Sequence, residues 1–107
     1  MKFNKRLLNV VSISVKNAVK GGKTDIELTL ELPDTAWEVK KPKMLIDNDH
    51  REVQITVIGE KKPNSFGLQV ITKRTIVLSV SFPFSGRWLI RCNDLQKIIE
   101  VKDSGLP

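Results

Sequence analysis

Between Thr75 and Cys92 apolar and polar positions alternate twice, with one interruption. Ile76, Leu78, Val80 and Phe82 fall on one side, and Thr75, Val77, Ser79 and Ser81 on the other. Pro83 and Ser85-Gly86 then break the run. Beyond them Trp88, Ile90 and Cys92 oppose Arg87, Leu89 and Arg91. Side chains of an extended chain point to opposite faces in turn, so a period of two predicts a strand. The stretch is therefore read as two β-strands joined at a corner.

The same pattern recurs along the chain. Val10 to Lys16 is read as the first strand, and Asp25 to Leu32 alternates without a fault: Ile26, Leu28, Leu30 and Leu32 inward, Asp25, Glu27, Thr29 and Glu31 outward. Trp37 and Val39 start a short strand. Glu52 to Ile58 turns Val53, Ile55 and Val57 inward, Phe66, Leu68 and Val70 form another inward set, and Lys97 to Lys102 closes the series with Ile99 and Val101 inward. Turns are expected at Gly21-Gly22, Pro33-Asp34, Asp47-Asn48-Asp49-His50, Lys73-Arg74 and Asn93-Asp94, where residues suited to positive φ or to side-chain-to-backbone bonds gather. Gly59 to Ser65 is expected to be a loop, and Asp103 to Pro107 a frayed tail. No stretch repeats its apolar residues every 3.6 positions, so no long helix is expected. About seven or eight short strands at this spacing predict a single antiparallel β-sandwich domain over residues 1–107.

Lys2, Lys5 and Arg6 precede an apolar segment from Leu7 to Val15, the outline of a signal peptide. Asn9, Ser12 and Ser14 interrupt it, and Val11, Ile13 and Val15 alternate, so a folded strand is the better reading. No apolar run reaches the length of a membrane span. Eighteen Lys and Arg against twelve Asp and Glu give a net charge of +6, which favours weak attraction to anionic partners. The basic residues come in small groups: Lys40, Lys41 and Lys43; Lys61 and Lys62; Lys73 and Arg74; Arg87 and Arg91. Lysines at strand ends also blunt sheet edges. That role is preferred here, and nucleic acid is disfavoured as a partner because no recognition motif accompanies the charge.

Gly86-Arg87-Trp88-Leu89-Ile90 is the most distinctive piece. Immunoglobulin-like domains carry an aromatic at the start of a late strand, packed near a corner and bonded back to the backbone. Trp88 stands in that place, as a core anchor whose indole N–H needs an acceptor. The run Phe82-Pro83-Phe84-Ser85-Gly86-Arg87-Trp88-Leu89-Ile90-Arg91 resembles the closing motif of small bacterial immunoglobulin-like domains, the YtkA-like and FixH-like group. That resemblance implies an immunoglobulin-like β-sandwich and an extracytoplasmic, copper-related setting. Phe82 through Cys92 to Val101 is also similar in outline to the last strands of cupredoxins, where a cysteine ligates copper. A blue-copper site takes a Cys, two imidazoles and a weak thioether. This chain has one His, His50, and neither His nor Met follows Cys92. Cys92 is therefore read as a small buried hydrophobe. Met44, His50 and Cys92 lack the spacing of a chelate, and Asp47-Asn48-Asp49 fails as a calcium loop because Glu52 stands where glycine is needed.

Catalysis finds no support. A nucleophilic triad needs a base held by a third group, and no nucleophile elbow or phosphate-cradling glycine loop accompanies the lone imidazole. No cofactor is expected. Surface recognition remains, with Arg87, Leu89 and Arg91 on the face opposite Trp88, since arginine beside an apolar side chain is interface-like composition. Trp37, between Pro33 and Pro42, is expected to add a rim contact if exposed. The expected partner is a protein, with the Asp25–Glu31 face of a second copy as one candidate. Cross-strand pairing of either arginine with a neighbouring acid is the alternative. The sequence thus points to a non-catalytic interaction or accessory module, with a metal-handling domain and a polyanion binder as alternatives.

Overall fold

The computed structural model describes residues 4–62, 67–68 and 70–103, and among them the chain is all-β. Ten strands follow in order: β1 (Asn4–Leu7), β2 (Asn9–Val15), β3 (Lys23–Leu32), β4 (Trp37–Val39), β5 (Lys43–Asp47), β6 (Glu52–Thr56), β7 (Ile58–Lys61), β8 (Thr72–Ser81), β9 (Gly86–Cys92) and β10 (Leu95–Val101). They form three sheets, ordered β2-β3-β8, β10-β9-β6-β5 and β1-β7-β4. All named pairings are antiparallel except β6 with β9, which run parallel from Glu52 opposite Leu89 to Ile55 opposite Cys92.

Faultless alternation makes β3 one of the two longest strands. Its inward residues Ile26, Leu28, Leu30 and Leu32 are buried, and it pairs with β8 along all ten residues. Across the four-stranded sheet Val53 and Ile55 of β6 and Trp88, Ile90 and Cys92 of β9 are buried too. Together with Leu8, Val57, Phe82 and Val101 they belong to one core cluster shared by the sheets. The expected corner lies at Pro83 to Ser85, where the chain leaves one sheet after β8 and enters another at β9. Phe82 and Trp88 meet across it edge to face, with ring centres 5.0 Å apart. The Trp88 indole donates to the Phe84 carbonyl at 2.9 Å, which supplies the acceptor a buried N–H requires. Gly86 takes φ +108° there, a region closed to side chains with a Cβ.

Two further ties hold the sheets together. The link between β2 and β3 runs beside the end of β10: the Lys102 amide donates to the Ala18 carbonyl and the Lys20 amide to the Lys102 carbonyl, while the Gly21 amide donates to Phe82 at the corner. Asn93 makes the second tie. It sits in the left-handed region at φ 51° in the turn between β9 and β10, a conformation asparagine tolerates better than most residues. Its Nδ2 donates to the Leu8 carbonyl (2.7 Å) and to the Val57 carbonyl (3.0 Å), and its Oδ1 accepts from the Val57 amide (3.0 Å). Leu8 and Val57 are the single residues between β1 and β2 and between β6 and β7, where the chain passes from one sheet to another. Their backbone groups fall outside the ladders: the Leu8 amide donates to the Val57 carbonyl at 3.1 Å, and one carboxamide meets the Leu8 carbonyl and both Val57 groups.

Several expectations change. Strands β1 and β5 were not anticipated, Lys73 and Arg74 lie inside β8, and Gly59 to Lys61 belongs to β7 instead of a loop. Gly59 is needed at that point because a Cβ would stand 2.5 Å from Leu8 Cδ2. Leu68 and Val70 are 72% and 58% exposed, not inward. With Gly67, Leu68 and Val70 assigned to no strand, no alternation acts on them. Phe66 and residues 104–107 of the expected tail lie outside the described residues.

Asn93→Ala is expected to lower unfolding free energy by about 3 kcal/mol, because the Val57 amide and Leu8 carbonyl lose their partner in the interior. Asn93→Gly, which keeps the positive φ, should recover only the backbone part; denaturant titration of both checks this. Thr24 is buried with no hydrogen-bond partner for its Oγ1 among the described residues. Thr24→Val is expected to raise the unfolding free energy by about 1 kcal/mol, measured the same way.

Candidate functional site

Alternation that buries Trp88, Ile90 and Cys92 must turn Arg87, Leu89 and Arg91 outward, and the structure shows that face intact. Register adds neighbours that a single strand cannot reveal. Leu89 lies opposite Ile98 of β10 and Glu52 of β6; Arg87 lies opposite Glu100; Arg91 lies between Gln96 and Gln54, with Leu45 of β5 beyond. Ile98 and Leu45 are 62% and 64% exposed and Leu89 is half-buried, so the outer face of the four-stranded sheet carries apolar side chains among charges. Arg91 Nε lies 3.5 Å from Glu52 Oε1, a cross-strand ion pair within the sheet. Arg87 is exposed. Towards β1 the face ends in an open depression of about 260 Å³ lined by Leu7, Gln54, Ile55, Thr56, Arg91 and Asn93.

Trp37 does not join this surface. It is 9% exposed, in β4 of the short-stranded β1-β7-β4 sheet, packed in the core against Gly59. The Arg6 guanidinium stands 5.2 Å from its ring centre, so the outward side of the indole is occupied by a cation. The short strand expected at Trp37 and Val39 is present as β4, but the expected rim contact is not made, because pairing with β7 folds Trp37 inward.

Residues of metal-ligating type are also kept apart. Cys92 is fully buried, and burial pushes its thiol up to about 11. Met44 and Cys92 both stand opposite Ile55, two strands apart, so about 10 Å separates their backbones. His50 sits in the β5–β6 hairpin turn, where its Nδ1 lies 2.7 Å from Asp47 Oδ2. Asp47 Oδ1 accepts the Asp49 and His50 amides, so the polar run is a turn stapled by its own aspartate.

Four lysines do converge. Lys5 on β1, Lys40 and Lys41 between β4 and β5, and Lys43 at the start of β5 line a depression of about 180 Å³ with Thr56, Ile58 and Glu60. Glu60 pairs with Lys5 at 3.7 Å, leaving the other three charges without an acidic neighbour in that lining. The Lys40–Lys43 group was visible in sequence, but the approach of Lys5 depends on the β1–β7 pairing. The acidic face of β3 is partly satisfied within its own sheet: Asp25 accepts from Ser79 at 2.9 Å, Glu31 accepts from Asn9, and Glu31 stands opposite Lys73.

Among the described residues no helix is long and apolar enough to cross a membrane, and no three His, Cys, Asp or Glu side chains gather as a metal site. Comparison with protein-family models, curated proteins and solved structures finds no match.

The hairpin turn gives a pH prediction. The hydrogen bond and charge of Asp47 hold the His50 imidazole above its ordinary 6.5, and the hydrogen bonds from His50 hold the Asp47 carboxyl below its ordinary 3.8. The His50 contribution is full below pH 6.5 and fades as pH rises through the raised value. The Asp47 contribution is full above pH 3.8 and fades as pH falls through the lowered value. The turn is thus expected to be firmest between those limits. Imidazole NMR titration should show His50 above 6.5 in the wild type and back near it in Asp47→Asn.

Proposed function

We propose that the chain is a non-catalytic protein-interaction module on an immunoglobulin-like frame, contacting its partner through the outer face of the four-stranded sheet. The observation that carries this is the exposed pair Leu45 and Ile98, with half-buried Leu89 between them, interleaved with Arg87 and Arg91 on one face. Exposed aliphatic side chains beside arginine offer apolar area and planar hydrogen bonding together, the composition of contact surfaces. The frame is supported by the corner, where the aromatic after Gly86 bonds back to the backbone as in immunoglobulin-like domains. The same corner carries the resemblance to the small bacterial group. The parallel β6–β9 pair departs from the wholly antiparallel sheets of that fold.

A second reading has its own observation. The depression lined by Lys5, Lys40, Lys41 and Lys43 concentrates positive charge that sequence alone shows as scattered, and such a group attracts polyanions. Among the described residues no comparable grouping favours metal handling.

Ile98→Asp combined with Arg87→Glu should leave the circular dichroism spectrum intact, because both positions are exposed, and should cut capture of the native partner at least tenfold. Unchanged capture in a pull-down with the double variant would remove the face from consideration. For the second reading, heparin retention should fall steeply with salt and drop further in Lys40→Glu/Lys41→Glu; retention equal to wild type would end it.

A further inference from the structure

Natural sheets guard their edges, because the outer row of N–H and C=O groups on an edge strand is a template for another strand. Five of the six edges here are guarded. β1 and β4 are short and carry Lys5, Arg6 and Glu38; β2 is bulged between Val10 and Ser12; β5 is closed by Lys43 and Asp47; β10 holds Lys97 and Glu100. β8 is the exception. It is ten residues long, unbulged, and without a charge from Thr75 to Ser81, and among the described residues no strand pairs with its outer side.

Its side chains are also left short of cover. Ile26 and Leu28 of β3 are fully buried, yet Leu78 and Ile76, their neighbours in register, are only half-buried. On the other face Val77 is 57% exposed. We infer that β8 pairs with β8 of a second copy, antiparallel about a two-fold axis at Val77, to make a continuous six-stranded sheet. This register sets Ile76 against Leu78 of the other copy twice over, which completes the cover that β3 already has. It sets Thr75 against Ser79 on the polar face. Lys73 and Arg74 come to lie beside Ser81 and Val80 of the other copy, so no like charges oppose. Lys73 already faces Glu31 of its own sheet. An isologous contact of this kind closes at two copies and propagates no further.

This contact rests on the reading of the chain as an association module but uses a different surface. Strand pairing alone buries little area, near or below the roughly 1,200 Å² of stable interfaces, so the dimer should depend on concentration. Sedimentation velocity from about 10 to 500 µM should carry the wild type from its 12.1 kDa monomer mass toward twice that value. Val77→Lys sets two ammonium groups against each other at the axis and should weaken the dimer at least tenfold with the fold intact; Ile98→Asp should leave it unchanged. Val77→Cys should form an intermolecular disulfide on oxidation. Thr75→Cys should not, because its two copies stand about 14 Å apart in this register. A wild type that stays monomeric throughout, a dimer lost in Ile98→Asp but kept in Val77→Lys, or equal cross-linking at Thr75 and Val77 would each overturn the inference.

Discussion

The hydrogen bonds of Asn93 are the constraint that the three-sheet arrangement depends on. A chain that moves from one sheet to another must interrupt its ladders, and each interruption leaves peptide groups inside the protein without strand partners. Leu8 and Val57 are two such interruptions, and both face the same carboxamide. Asparagine suits the position twice over. Its amide presents donor and acceptor together, like a peptide group, and it accepts the positive φ of the turn it occupies. Aspartate would set an acceptor against two carbonyls, and glycine would leave the Leu8 carbonyl and the Val57 amide without this partner.

The corner between β8 and β9 is another crossing, and it is solved with aromatic bulk. Phe82 and Trp88 fill the gap between departing and arriving strands, and the indole N–H is spent on the Phe84 carbonyl inside the corner itself. With the inner faces committed to this packing, the differences in character lie outside. One outer face is acidic and partly satisfied by its own serine and asparagine neighbours. The other mixes arginine with exposed aliphatic side chains, and lysines gather near the short sheet. Charge and apolar area are thus sorted by face, even though they look evenly spread along the chain.

Much of the fold was legible because burial on one face writes a period of two into the sequence. Asp25–Leu32, Glu52–Ile58 and Arg87–Cys92 show their correct inward sides in sequence, Thr75–Phe82 shows its two-sided alternation, and the corner and buried Trp88 follow. The misses have a common cause: short or edge strands bury too little to leave the pattern. Met44-Leu45-Ile46 in β5 are all partly exposed and do not alternate. β1 spends its contacts on β7 and leaves no pattern, and β4 shows as a short strand in sequence without the β7 pairing that turns Trp37 inward. The outward triplet Arg87, Leu89 and Arg91 was legible from parity alone. Its neighbours Leu45, Glu52 and Ile98 were not, because sheet order, and the parallel β6–β9 pair above all, is set by contacts distant in sequence. Asn93 was seen as a turn residue, but its three partners lie 36 and 85 positions away.

Those separations have a consequence for how the molecule comes into being. β2 and β3 are made early on the ribosome, yet Leu8 waits for Asn93 and the segment at Val19 waits for Lys102. Closing such long loops is entropically costly and slow. A nascent chain halted before β10 therefore holds its first hairpin with an uncovered greasy side. Chaperone dependence should concentrate in that interval of translation, before Asn93 and Lys102 are in place.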